Sequence, residues 1–136
     1  MKTSILCLLI ILTCGSSNLN KEYIDQEYEN VSLINLISTP DKYHNKLIRV
    51  RGYAKFEKEG EAVYLSKDDY EYFLPKNALA LSINYKQLID MEISYASQGY
   101  AIIKGVFDKN RLGHFDLFSG SIKNIEYIDW LEKREE

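Results

Sequence analysis

The chain has few residues of the kinds that carry covalent or metal chemistry. Its 136 residues include only two cysteines, Cys7 and Cys14, and two histidines, His44 and His114. Cys7 lies inside an apolar leader run, so a chain that has lost this run keeps one cysteine and forms no intramolecular disulfide. The two histidines are too far apart in sequence for a short metal-binding motif. Stability must therefore come from an ordinary hydrophobic core, and no metal and no cofactor is predicted.

The motifs of common enzymes are missing as well. The sequence contains no glycine-rich phosphate loop and no HExxH, CxxC or GxSxG motif. Asp68, Asp69 and Glu71 are close carboxylates, but such a run is more typical of a solvated loop than of a Ca²⁺ site. The sequence therefore predicts no enzymatic activity. A small hydrolase centred on His114 and Asp116 stays an alternative with no motif behind it.

The chain has fewer basic than acidic residues, which is unusual for a protein that binds nucleic acid. The formal net charge is −3, from 17 basic and 20 acidic residues. Loss of residues 1–13 would remove Lys2 alone among the charged residues, which changes the net charge from −3 to −4. Binding to nucleic acid depends largely on Lys and Arg neutralising phosphates. The charge balance disfavours nucleic acid as a partner, although a local basic patch stays open.

The first fourteen residues have the pattern of a lipoprotein signal. Lys2 precedes an apolar run over residues 5–12, much shorter than the about 20 residues that span a membrane. The following residues, Leu12-Thr13-Cys14-Gly15, resemble a bacterial lipobox, in which the cysteine is acylated after cleavage. The resemblance implies a signal peptide over 1–13, lipid attachment at Cys14 and a polar tether over 14–30. It also implies a location in the bacterial cell envelope, at the outer membrane facing the periplasm. A secretory signal cut slightly later is the alternative.

Hydrophobic periodicity predicts a mainly β domain over residues 31–136. Alternation predicts strands over 47–56, 62–66, 78–83 and 100–107, and a fifth strand over 114–119 that restarts over 121–128. Short helices are predicted over 31–37, with Ser32 as the N-cap, and over 85–91. Residues 67–76 are predicted to be a loop. Gly52, Gly105 and Gly120 fall within or between strands, where glycine often marks a bulge or a barrel bend.

This order of elements resembles the OB fold. Residues 36–52 contain a short helix, a Thr39-Pro40 step, an aromatic residue and a turn before the strand that ends in Gly52, which looks like a pattern common in bacterial OB-like domains. Residues 105–108 and 113–120 look similar to such domains too. The resemblance covers about residues 31–128. It implies a five-stranded OB-like barrel with a short N-terminal helix and a short helix between strands 3 and 4. These motifs are structural and imply no substrate.

Two surfaces of such a barrel are candidate binding sites. The outward face of the first and fourth strands interleaves basic residues with tyrosines, namely Arg49, Arg51, Tyr53, Lys55, Tyr100 and Lys104. This face suits an anionic glycan, a nucleic acid or an acidic protein, or it is a solvated exterior. The face that OB domains use more often combines the second and third strands with the loops over 57–61 and 108–114. Arg111 and His114 are the candidate residues of the second loop.

The sequence thus predicts a lipid-anchored, extracytoplasmic binding or scaffold module. Its expected partners are the membrane, through the lipid, and an envelope protein or glycan. An OB domain that binds an oligonucleotide or an oligosaccharide is the alternative, with the hydrolase as a third hypothesis.

Overall fold

The computed structural model describes residues 27–133, which form one six-stranded sheet with short helices in the connections. The strands are β1 (Glu29–Asn30), β2 (Leu47–Lys55), β3 (Ala62–Tyr64), β4 (Ala78–Leu81), β5 (Gln98–Asp108) and β6 (Ser121–Trp130). The α-helices are α1 (Leu33–Ser38), α2 (Pro40–Tyr43), α3 (Lys67–Glu71) and α4 (Tyr85–Asp90). Two 3₁₀ turns cover Pro75–Asn77 and His114–Asp116.

Five of the strands close into a barrel. Neighbouring strands follow the order β2, β3, β4, β6 and β5, and β5 pairs back onto β2. All pairs within this barrel are antiparallel except β4 with β6. Helix α4 connects the third barrel strand, β4, to the fourth, β5. This is an OB-like arrangement, so the predicted fold class is confirmed. β1 is an additional strand that pairs in parallel with β2, at the end of the segment predicted as a tether.

The barrel interior is filled by alternate residues of the strands and closed by helical leucines. Ile48 and Val50 of β2 and Ile103 of β5 are almost fully buried, as the period of two predicts. Leu36 of α1 and Leu88 of α4 are also buried in this cluster. The core thus follows the periodicity that can be read from the sequence.

Two strand glycines allow neighbouring elements to approach closely. A Cβ on Gly52 would lie 2.5 Å from Cδ1 of Leu33, and a Cβ on Gly105 would lie 2.7 Å from Cγ2 of Ile122. The β5–β6 register is irregular between Lys104 and Val106. A bulge or a barrel bend was predicted at these glycines. The structure shows close packing at both of them and a bulge at Gly105.

The two helices predicted from periodicity begin where polar side chains cap them. The Oγ atom of Ser32 accepts a hydrogen bond from the backbone N–H of Asn35 at 3.1 Å. Asn84 and Gln87 form a reciprocal capping box at the start of α4. These local hydrogen bonds satisfy backbone donors that the first helical turn leaves unpaired.

The strand predicted over residues 114–119 is wrong. Residues His114–Asp116 form a 3₁₀ turn instead, and Phe115 and Asp116 have φ angles of 53° and 56°. A left-handed backbone cannot continue a strand. The alternation of polar and apolar residues in this segment mimics a strand, but β6 begins only at Ser121, after Gly120.

The loop predicted over residues 67–76 is also wrong in detail. It contains α3 and the turn Pro75–Asn77. Ser66 caps α3, because its Oγ accepts the backbone N–H of Asp69 at 3.1 Å. The strands on either side of this helical segment are shorter than the predicted ranges, since β3 ends at Tyr64 and β4 at Leu81. The many charged residues of the segment favoured the prediction of a loop, although Ser66 caps a short helix there.

Candidate functional site

The outward face of β3 and β4 carries the largest concentration of functional features. It lies between the β2–β3 turn, residues 57–61, and the β5–β6 connection, residues 109–120. Two adjoining cavities of about 480 and 490 Å³ open here, within the size range of small-molecule sites. They have four lining residues in common: Glu59, Gly60, His114 and Phe118. We call the pair the loop-bounded groove.

A second apolar cluster on the outside of the barrel lies beneath this groove, and three of its members, Tyr64, Ala80 and Phe118, line the cavities. Its buried members are Tyr53, Ala62, Tyr64, Ala78, Ala80 and Phe118. The three alanines face away from the barrel interior, yet the cluster buries them. Tyr64 packs edge-on against Tyr70 and Phe118, with ring centroids 5.5 and 6.4 Å apart. The small side chains make room for these rings.

Helix α3 is fixed over this cluster by the carboxylate of Asp69. This carboxylate accepts hydrogen bonds from the hydroxyl of Ser66 and from Nδ2 of Asn77, the latter at 2.7 Å. The two bonds favour the charged form and therefore lower the pKa of Asp69. In the acidic run that could have suggested a Ca²⁺ site, Asp69 is thus bonded to the N-cap residue of the helix that carries Tyr70, and Glu71 is paired with Lys67 at 3.1 Å.

A hydrogen bond joins α3 to the β2–β3 turn. The hydroxyl of Tyr70 donates to Oε1 of Glu57 at 2.7 Å. This bond to a carboxylate, together with desolvation, raises the pKa of Tyr70 to about 12. Burial raises the pKa of the neighbouring Tyr64. The bond holds two separate connections together along one wall of the groove.

Two exposed phenylalanines line the same cavity from different connections. Phe73 is 62% exposed and Phe115 is 81% exposed. Both have left-handed backbones, with φ angles of 50° and 53°. Such a conformation costs a non-glycine residue roughly 1–2 kcal/mol, and an apolar ring in water gains nothing in return from burial. Strained, exposed aromatic residues are typical of binding sites, where a partner covers them.

Carboxylates dominate the charge of the loop-bounded groove. Five acidic residues line it: Glu57, Glu59, Glu61, Glu71 and Asp116. Burial raises the pKa of Glu61. Arg111 supplies a permanent positive charge among the lining residues, and its Nη1 donates to Oγ of Ser82 at 3.0 Å. Glu57 and Glu71 are already paired with Lys55 and Lys67, at 3.5 and 3.1 Å. The other three carboxylates have no ion pair among residues 27–133, so they give the groove its preference for a cationic or hydrogen-bond-donating ligand.

Both candidate loop residues from the sequence, Arg111 and His114, lie at this groove. The His114 ring is exposed and stands 4.0 Å from the ring of Phe115, centroid to centroid. The hydrogen bonds and ion pairs within residues 27–133 include none between His114 and Asp116, the pair on which a hydrolase was considered. The same residues contain no cluster of three or more His, Cys, Asp or Glu side chains arranged to hold a metal ion.

The predicted basic and aromatic face of the first and fourth strands is divided in two. Tyr53 and Lys55 are only 5% and 9% exposed, because α3 covers them. Nζ of Lys55 lies 3.2 Å from Oε1 of Gln98 and 5.6 Å from the centroid of the Tyr70 ring. The expectation that these two side chains are open to solvent is therefore wrong.

The other four residues of that face lie on either side of this covered region. Arg49 is directly opposite Lys104, and Tyr100 is opposite Tyr53. The hydroxyl of Tyr100 accepts the first backbone N–H of α3 at 3.3 Å. Arg51 is exposed. Arg49, Arg51 and Lys104 thus form one basic group. Tyr53, Lys55 and Tyr100 form a second group, which contacts α3.

Sequence reasoning missed Tyr70, Phe73 and Phe115. Tyr70 and Phe73 fell within the predicted loop, and Phe115 within the predicted strand. An aromatic residue two positions after Gly113, or two positions before Pro75, is a weak signal for an exposed ring. Only the folded chain places the two phenylalanines beside one cavity.

The lipobox cysteine, Cys14, and the leader over 1–13 lie outside the described residues. Across residues 27–133, no helix combines the length and the apolar character that crossing a membrane requires.

Compared with known proteins, the chain matches no protein-family model, no curated protein and no solved structure. The fold and the chemistry of the loop-bounded groove therefore carry the functional interpretation.

Proposed function

We propose that this protein is a lipid-anchored binding module that holds a basic segment of an envelope protein in the loop-bounded groove. The observation that carries the proposal is the pair of exposed, strained phenylalanines, Phe73 and Phe115, beside a cavity lined by Glu57, Glu59 and Glu71. Covering two such rings removes apolar surface from water. Glu59, Glu61 and Asp116, which have no ion pair among the described residues, would meet lysine or arginine side chains of the partner.

The charge of the groove separates this partner from a nucleic acid. Phosphates would approach Glu59, Glu61 and Asp116, and like-charge contacts oppose association. Arg111 is the permanent cation on that side, and it is already hydrogen-bonded to Ser82. An extended peptide with lysines flanking an aromatic or aliphatic residue satisfies both features of the site. The binding role requires no catalytic residue.

The anchor is the second part of the proposal. Cys14 would carry the lipid, and the following polar residues would connect it to the domain, which begins at or before β1. A full chain with Cys14→Ser should lose incorporation of labelled palmitate and should leave the membrane fraction. Persistent labelling and sedimentation of this variant with membranes would refute the anchor without touching the binding site.

The binding role is tested with short fluorescent peptides of defined charge. A peptide that alternates lysine and phenylalanine should raise fluorescence anisotropy in the presence of the full chain, and one with glutamate in place of lysine should not. The double change Phe73→Ser and Phe115→Ser should weaken binding at least tenfold, because it removes both rings. Tyr85→Ser is the matched control, since Tyr85 is 64% exposed but lies on α4, outside the groove.

The same assay distinguishes the other partner classes. Equal binding of the lysine and glutamate peptides would contradict the role of the carboxylates. A neutral oligosaccharide that binds more tightly than any peptide, and whose binding depends on the two phenylalanines, would reassign the groove to glycans. Binding of single-stranded oligonucleotide at this groove would overturn the proposal.

A further inference from the structure

A separate groove lies between α1 and the edge of β2. Its volume is about 650 Å³, and none of its lining residues belongs to the loop-bounded groove. The lining residues are Asn30, Val31, Ser32, Leu33, Ile34, Arg49, Arg51 and Leu65. This volume is in the range of sites for small organic ligands.

The groove exists because the edge of β2 is left uncovered over three residues. β1 pairs with β2 at Ile48 and Arg49, and β3 pairs with it only from Tyr53 onward. Within residues 27–133, no strand pairs with β2 on this side between those two points. The backbone N–H of Val31 donates to the carbonyl of Arg49 at 3.0 Å. Since backbone groups alternate in direction along a strand, the N–H and C=O of Arg51 point to the same edge of β2 as those of Arg49, towards the groove.

One part of the groove is apolar. Val31 and Leu33 are buried, with exposed fractions of 8% and 2%, and they form a firm base. Leu65 is half-buried and packs on the main core. Ile34 stands at the rim and is 62% exposed. An aliphatic chain laid against Ile34 and Leu65 would remove this apolar surface from water, which favours binding.

The other part of the groove is cationic. Nη1 of Arg49 donates to Oδ1 of Asn30 at 2.9 Å, which leaves donors of this guanidinium free. Arg51 lies two residues further along the same face, so the two side chains start about 7 Å apart. Ion pairs among the described residues involve neither guanidinium. The nearby carboxylate of Glu29 is paired with Lys46 instead, at 3.8 Å.

We propose that this groove binds a single-chain anionic amphiphile, with its carboxylate or phosphate head between Arg49 and Arg51 and its acyl chain along Ile34 and Leu65. Guanidinium groups bind such heads through two parallel charge-assisted hydrogen bonds. The N–H of Arg51 offers one more donor from the uncovered strand edge. The proposal is independent of the partner assigned to the loop-bounded groove.

The size and lining of the groove select this occupant over larger ones. An added peptide strand would find only Val50–Gly52 unpaired on this side, which is too short for a stable strand addition. Nucleic acid binding needs aromatic surfaces on which bases stack, and no aromatic residue lines this groove. An aliphatic chain with one anionic head uses both the apolar and the cationic part.

The test uses the full chain with Cys14→Ser in detergent-free buffer, and dodecanoate below its micelle concentration as the probe. Calorimetry should detect binding of dodecanoate and of dodecyl phosphate, with little binding of acetate or of dodecyl maltoside. Amide resonances of Ile34 and Arg51 should shift during the titration. The double change Arg49→Gln and Arg51→Gln should weaken binding at least tenfold, and Ile34→Ser should weaken it severalfold. Lys86→Gln, which removes an exposed cation on α4, should bind like the parent chain.

Three results would overturn the proposal. Dodecyl maltoside that binds as tightly as dodecanoate would show that the arginines do not select the head. An unchanged affinity in the double arginine variant, with an intact amide spectrum, would place the ligand elsewhere. Association with anionic lipid vesicles but not with monomeric dodecanoate would assign the arginines to a membrane surface. Ile34→Ser keeps the test valid if the arginine variant fails to fold, because Ile34 is mostly exposed.

Discussion

The change Gly52→Ala should destabilise the barrel at the place where β2, β3 and α1 meet. A Cβ at this position would lie 2.5 Å from Cδ1 of Leu33, 2.6 Å from Cγ2 of Val63 and 2.7 Å from the carbonyl oxygen of Tyr64. All three contacts are shorter than van der Waals distance. Leu33 and Val63 are buried, with exposed fractions of 2% and 0%, so neither side chain can move into solvent.

The size of the effect follows from which of these atoms can move. Overpacking of a core costs about 1–3 kcal/mol. Tyr64 is paired with Tyr53 in the β2–β3 ladder, so its carbonyl moves only if that pairing is distorted, and the upper end of the range applies. Alanine also reduces the entropy of the unfolded chain, which offsets about 0.4–1 kcal/mol. The net loss in free energy of unfolding should be about 2–2.6 kcal/mol.

Urea denaturation measures this loss directly. With an m-value of about 2 kcal/mol/M for a domain of this size, the midpoint should fall by about 1–1.3 M. The matched control is Gly60→Ala in the β2–β3 turn, where the nearest atom to an added Cβ is Cβ of Glu57 at 3.8 Å. This control should be neutral or slightly stabilising.

A free energy of unfolding for Gly52→Ala that lies within about 0.5 kcal/mol of the parent chain, as for a surface substitution, would contradict close packing at this glycine. So would an equal loss of stability in both glycine variants, because the loss would then reflect backbone preference and not close packing. A change in m-value would indicate an altered denatured or native state.

Two hydrogen bonds around α3 give further predictions. Tyr70→Phe removes the bond to Glu57 and should lower the free energy of unfolding by about 1–2 kcal/mol. The pKa of Tyr70 is raised to about 12 from an unfolded value near 10. The contribution of the bond should therefore be complete below about pH 10 and lost between about pH 10 and 12. Urea titrations across that range check this, and a constant difference between the two chains up to pH 12 would contradict it. Ser66→Ala removes the N-cap of α3 and the hydroxyl donor to Asp69, and it should cost about 1 kcal/mol at neutral pH. Because the pKa of Asp69 is lowered, the carboxylate's contribution is present above its ordinary value near 4 and disappears as acid protonates it. The difference between parent and variant should therefore shrink as the pH falls towards 3, and a larger difference in acid would count against this account.

The barrel was predictable because its signals are local. Alternation along Ile48, Val50 and Ala54 identifies the inner face of β2 without knowledge of any neighbour, and it agrees with their burial. The caps Ser32 and Asn84 act within three residues of themselves. A short-range rule is enough for such features, so the barrel strands and the starts of α1 and α4 could be inferred from the chain. β1, α2 and α3 were not predicted, and the OB-like closure followed from the resemblance.

The site was only partly predictable because it depends on distant contacts. Arg111 and His114 were named as candidate residues at the β5–β6 connection, and both line the groove, but their role in binding stays a prediction. Tyr53 and Lys55 follow the same alternation as Arg51, but a helix that begins twelve or more residues later covers them and leaves Arg51 exposed. Periodicity assigns a side of the strand, and it does not say what lies over that side.

The sequence alone determined the character of this protein's elements: a β-rich chain with few cysteines, a net negative charge, bend glycines and capped short helices. Each of these depends on composition or on neighbours within a turn of the chain. The tertiary structure decided how the outer surface is divided into an acidic aromatic groove and a separate cationic apolar one. That division arises from where α3 and the β5–β6 connection settle on the barrel, and from the three residues of β2 that no strand covers. Long-range packing sets both, since the residues involved lie in separate connections that only the closed barrel brings together.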